Sequence, residues 1–166
     1  MAFVEGLDPS EKTQRSAGRP RFSPSEYWQQ YEQEKAMPAW LRYGAAVYAE
    51  RYFFDKAVEA AGDGGDPFWA RTWSKQNLEG RGGLRPVAEI LKGAPDPAKV
   101  EDSQRWLIEA GLLVSFLVDG GNEAAGEALT AMQNALREGH LKPSHLRNLE
   151  AVLTEHEAEV QAYAKP

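Results

Sequence analysis

Met37-Pro38-Ala39-Trp40-Leu41-Arg42-Tyr43-Gly44-Ala45-Ala46-Val47-Tyr48-Ala49-Glu50 is the stretch whose reading decides how this chain folds. Trp40, Tyr43, Gly44, Val47, Phe54 and Val58 recur at helical spacing, which predicts a helix with one face in the core. Pro38 suits its first turn, where a missing N–H costs nothing. The helix is expected to stop at Gly62, because Gly62-Asp63-Gly64-Gly65 cannot sustain it. Upstream, Ser23-Pro24-Ser25-Glu26 has the pattern of a capping box, and Tyr27, Trp28, Tyr31 and Met37 follow as a short aromatic helix. Residues 1–22 set Lys12, Arg15, Arg19 and Arg21 among Ser, Gly and Pro with no apolar period. They read as a flexible basic arm in front of a helical domain at 23–166.

Downstream, the punctuation is clear. Asp66-Pro67 restarts a helix, with Asp66 as cap and Phe68 or Trp69 with Trp73 as its apolar stripe. Gly80-Arg81-Gly82-Gly83 breaks it as a flexible loop, lacking the Lys-Ser/Thr of a phosphate-cradling loop. A short helix, Pro86 to Lys92, and a stiff connector, Gly93-Ala94-Pro95-Asp96-Pro97, come next. Three helices then close the chain. The first spans about Pro97 to Asp119, with Val100, Leu107, Val114, Leu117 and Val118 inward. The second is capped by Asn122, uses Ala125, Leu129, Met132 and Leu136, and ends where Gly139 supplies a left-handed cap. The third runs from Ser144 to Ala164 with Leu146, Leu149, Val152, Leu153, His156, Val160 and Tyr163 on one face. No segment alternates with period two, so the fold class is all-α, a single domain of five to seven helices.

Composition removes several function classes. The 166-residue chain has a formal net charge of −6, against the basic face that general nucleic-acid binding needs. Residues 100–166 hold 11 acidic and 5 basic side chains, which makes the C-terminal helices an acidic surface. With no cysteine, disulfides and thiolate metal sites are excluded. The longest apolar run, Ala110 to Val118, is about half a membrane span. No signal-peptide pattern opens the chain, and a cytoplasmic protein is expected.

Pro38-Ala39-Trp40-Leu41-Arg42-Tyr43-Gly44-Ala45-Ala46-Val47-Tyr48 resembles the Pro-x-Trp-Leu-x-Glu-Gly-x-Ala-x-Tyr helix of gluzincin-type zinc peptidases. Further pieces extend the resemblance over residues 37–164. Ser103-Gln104-Arg105-Trp106 leads into Leu113-Val114-Ser115-Phe116-Leu117, Leu136-Arg137-Glu138-Gly139 resembles a leucine-rich turn, and Leu149-Glu150 through Tyr163 resembles the closing helix. The resemblance implies the C-terminal helical half of such a domain. In that family the residue before the glycine is the third zinc ligand, a glutamate, and here it is Tyr43. The His-Glu-x-x-His motif is also missing, since no histidine precedes residue 140. The nearest approach, His156-Glu157-Ala158-Glu159-Val160, has Val160 where a second histidine would bind. Trp40, Gly44, Ala46 and Tyr48 then read as retained packing.

His140 and His145 sit at helix ends, where histidines interact with exposed carbonyls. His156 reads as a packed histidine, and Glu155, Glu157 and Glu159 as a solvated face. The stretch Phe68-Trp69-Ala70-Arg71-Thr72-Trp73-Ser74-Lys75 interleaves aromatics with cations, the composition of binding hot spots. The expected partner-binding residues are therefore Trp69, Arg71, Trp73 and Lys75, with Arg19 and Arg21 of the arm. Neither a catalytic residue, a metal ligand nor a cofactor is assigned. The function expected is that of a non-catalytic interaction or assembly subunit docking a larger protein, a pseudo-peptidase in which self-association stays open. Two alternatives remain: a metal-dependent hydrolase completed by another chain, and a small-ligand or peptide-binding module.

Overall fold

The computed structural model describes residues 35–49 and 71–166, all within one compact unit, Gln33–Pro166. The expected arm, the capping box at Ser23, the end of the first helix at Gly62 and the restart at Asp66 lie outside the described residues. Among those described there are seven helices and no strand, as an all-α reading requires. They are α1 (Ala39–Val47), α2 (Arg71–Glu79), α3 (Val87–Lys92), α4 (Val100–Asp119), α5 (Glu123–Arg137), α6 (Pro143–Glu155) and α7 (Glu157–Tyr163). No helix among the described residues is long and apolar enough to cross a membrane.

The centre of the unit is α4. Every residue from Ile108 to Leu117 is buried, because α1, α2, α3, α5 and α7 all pack against it. A helix surrounded on all sides has no single apolar stripe, so the expected inward set is only partly right. Val114 and Leu117 are buried, but Val100 and Val118 are exposed, and Ile108, Leu112, Leu113 and Phe116 fill the core instead. The helix also starts later than Pro97, since Pro97 and Ala98 form a turn ahead of it.

Pro38 caps α1 from the position just before its first residue. The helix buries Trp40, Leu41 and Gly44 against α4. Gly44 is there for closeness: a Cβ on it would stand 2.5 Å from the Ala110 carbonyl oxygen and 2.9 Å from Val114 Cγ2. Any side chain would push the two helices apart. Tyr43 and Ala46 depart from the expected inward face, Tyr43 being 41% exposed and Ala46 exposed. Leu41 takes the core position because the face turned to α4 is centred on Trp40 and Gly44.

The glycine-rich break after α2 is a defined turn rather than a flexible loop. Gly83 N–H donates to the Leu78 carbonyl (2.7 Å) and Gly82 N–H to that of Glu79 (3.1 Å), with Gly82 at φ 88°. These are the paired bonds of a Schellman cap, which needs a left-handed residue at Gly82. Gly139 (φ 70°) ends α5 in the same way, with His140 N–H on the Ala135 carbonyl. Asn122 caps α5 as expected, its Oδ1 accepting from Ala125 N–H at 2.9 Å. The closing helix is two helices, not one. The chain leaves α-geometry at His156 (φ −98°, ψ 25°), which ends α6 and caps α7.

Candidate functional site

Two charged regions meet at α3, and one builds the other. The first is a buried hub around Glu109 of α4, whose side chain is 0% exposed. Its Oε2 accepts from Arg85 Nε at 2.8 Å and from Arg85 Nη2, and its Oε1 from Arg105 Nε at 3.0 Å and Arg85 Nε at 3.1 Å. Arg105 reaches Glu109 because it stands one turn earlier on α4. Its Nη2 then donates to the Gly83 carbonyl at 2.9 Å. The hydrogen bonds to Glu109 raise the Arg85 guanidinium above the ordinary arginine value, against burial, which lowers it. A buried carboxylate so completely partnered is a structural clamp: charges taken from water are tolerated only when their bonding capacity is met.

The clamp fixes the segment that enters α3. Arg85 lies two residues before the helix, and its carbonyl accepts from Gln161 Nε2 of α7 at 3.2 Å. The free N–H of Val87, first residue of α3, donates to Glu157 Oε1 at 2.9 Å. Glu157 is therefore no part of a solvated face: it is half-buried and holds the start of α3. At the far end of α3, the Ile90 carbonyl accepts from Trp106 Nε1 at 3.0 Å. Both ends of this six-residue helix are thus tied to other elements, as a helix too short to stand alone requires.

The second region is a groove of about 420 Å³ between α3 and α6. Ala88, Leu91 and Lys92 line one wall, and Glu150, Ala151, Thr154 and Glu155 the other. These are i, i+3, i+4 and i, i+1, i+4, i+5 sets, so each wall is one helix face. Small side chains at Ala88 and Ala151 leave the space open. Glu150 is fixed by the indole of buried Trp40, whose Nε1 donates to Oε1 at 3.1 Å. Among the described residues, Lys92, Glu150 and Glu155 make no ion pair. The groove volume falls in the range of ordinary ligand and peptide clefts.

The expected site residues divide unevenly. Trp69, Arg19 and Arg21 lie outside the described residues, and Arg71 and Trp73 are described only as backbone of α2. Lys75 is half-buried, with Nζ 4.6 Å from the centre of the Tyr163 ring, so its charge rests on α7. Beside it on α2, the buried Ser74 Oγ and the Asn77 Oδ1 atom have no hydrogen-bond partner among the described residues. Tyr43 packs edge-on to Trp106 (ring centres 5.9 Å apart) under Arg42.

His156 is not packed in the apolar stripe. Its side chain is 30% exposed at the α6–α7 break, with Nδ1 2.8 Å from Glu159 Oε1 and 3.1 Å from Asn122 Nδ2. Asn122 also donates to Glu159 Oε2 at 2.8 Å, and these bonds from Asn122 and His156 hold the Glu159 carboxyl below its ordinary value. His145 Nδ1 accepts from Lys142 N–H at 3.1 Å, closing the start of α6, and the His140 side chain is exposed. Among the described residues, no three His, Asp or Glu side chains converge as a metal ion would need. Compared with known proteins, the chain matches no family model, no curated protein and no solved structure.

Sequence reasoning missed both Glu109 and the groove. The signal for Glu109 was present: an acidic residue inside the apolar run Leu107 to Val114 with Arg105 one turn before it. The groove had none, because its alanines stand far apart in the chain.

Proposed function

We propose that the chain is a non-catalytic interaction or assembly subunit, a cytoplasmic helical scaffold that docks a larger protein. The observation that carries this reading is how its charged groups are used. Glu109, Arg85, Arg105 and Glu157 are consumed in holding α3, whereas Lys92, Glu150 and Glu155, which line an open groove, make no ion pair among the described residues. An acid, base or nucleophile needs a partner poised beside a space for substrate, and the hub has its bonds filled from within. The interleaved stretch Trp69 to Lys75 and the basic residues Arg19 and Arg21 supply further docking chemistry by composition. On the resemblance to gluzincin-type peptidases, the scaffold is a pseudo-peptidase whose ligand position holds Tyr43.

The test is purification from the native source with and without residues 1–22, followed by metal analysis. A metal-free complex of fixed stoichiometry, weakened by the truncation or by Trp69→Ala or Trp73→Ala, is expected. A complex holding one zinc per chain, lost in His156→Ala together with peptide hydrolysis, would overturn the reading in favour of a hydrolase completed by another chain.

A further inference from the structure

We infer that the groove between α3 and α6 is the seat of a short segment of a protein partner, two adjacent aliphatic residues flanked by Lys or Arg. This rests on the interaction reading and names the chemistry of one contact within it. The floor asks for aliphatic side chains, because Ala88, Leu91 and Ala151 offer apolar surface and no donor or acceptor. The α6 wall asks for cations. It carries Glu150 and Glu155 against the single Lys92 across the groove, and neither carboxylate makes an ion pair among the described residues.

Glu150 is the better placed of the two. Trp40 holds its Oε1, which fixes the side chain before any partner arrives and leaves Oε2 to receive a cation. Pre-set groups of this kind lose little entropy on binding. The Thr154 hydroxyl offers less, since it donates to the Glu150 carbonyl of its own helix at 2.7 Å. Lys92, exposed in the last turn of α3, suits a main-chain carbonyl of the segment. An open trough between two helices fits an extended or helical chain better than an enclosed small molecule. The acidic balance of residues 100–166 draws the same kind of partner from a distance.

The alanines make the inference testable without harming the fold. Ala88 and Ala151 are exposed, so tryptophan at either position fills the groove from the solvent side. The full chain is titrated with labelled acetyl-Gly-Arg-Leu-Leu-Arg-Gly-amide, with Glu replacing Arg, and with Gly replacing Leu, while anisotropy is read. Saturable binding is expected for the first peptide alone. Ala151→Trp and Ala88→Trp should each weaken it at least about tenfold, the loss of roughly one well-buried contact. Glu150→Gln with Glu155→Gln should weaken it about fivefold, the size of exposed ion pairs, and should flatten its salt dependence. Unchanged circular dichroism shows that the variants fold.

Equal binding of all three peptides, no binding, or full binding to Ala151→Trp would overturn the inference. Should the native complex survive in Ala151→Trp while the peptide fails, the groove falls and the assembly reading stands. Peptide binding to a chain that forms no native complex would instead defeat the assembly reading and leave the groove.

Discussion

The hub at Glu109 and the groove beside it use the same side-chain chemistry to opposite ends. Each sets carboxylate against cation within reach of α3. At the hub the carboxylate is buried and two arginines and a main-chain N–H converge on it. At the groove Glu150 is half-buried with one oxygen fixed, Glu155 is exposed, and Lys92 stands apart. Burial decides the difference. A charge removed from water must be fully partnered within the fold, while a charge at the rim remains available to something else.

The sharpest way to break this comparison is to delete the hub carboxylate. Glu109→Ala leaves two partly buried arginines without their counter-charge and should cost about 3–5 kcal/mol, or prevent folding, in urea unfolding. Next in size is the α1–α4 contact. Gly44→Ala places a methyl group against the Ala110 carbonyl and should lower stability by about 1–3 kcal/mol, read as a lower urea midpoint at unchanged slope. Asn122→Ala removes the cap of α5 and should cost about 1 kcal/mol.

The same variant sharpens the electrostatics at the α6–α7 break. Glu159 loses the first of the two donors that hold its carboxyl low, so its value in an NMR titration should rise toward the ordinary 4.5. The sign follows from the direction of the shift. A carboxyl lowered in the folded state adds stability above its unfolded value and loses it as pH falls through the folded value. Glu159→Gln should therefore flatten the acid side of the stability profile in thermal unfolding. The smallest effect is expected at the groove, where Glu150→Gln keeps an acceptor for Trp40 and should change stability by no more than about 0.5 kcal/mol.

What the sequence revealed depended on whether a feature was written locally. The caps at Asn122 and Gly139 and the start of α3 at Pro86 rest on a few adjacent residues, and each is where its chemistry predicts. The inward face of α4 was legible only in part, at Val114 and Leu117, because burial on every side erases the period that marks a face. The break at His156 carries no glycine or proline. It arises from Asn122 and Glu159 gathering on the histidine, and from Glu157 turning to Val87, which are contacts between distant segments. The groove is a product of two small residues brought opposite each other by tertiary packing. Of the expected docking residues, Lys75 is the one whose side chain is described, half-buried with its Nζ over the Tyr163 ring, a contact between distant segments that the sequence does not show.

One measurement tests the division between holding and binding most directly: paired urea unfolding of Glu109→Gln and Glu150→Gln. Both remove one negative charge and put an amide of the same shape in place of the carboxylate. A loss of at least about 2 kcal/mol is expected for Glu109→Gln, whose arginines lose a buried counter-charge, and near-wild-type stability for Glu150→Gln. Equal stability of the two variants would contradict it.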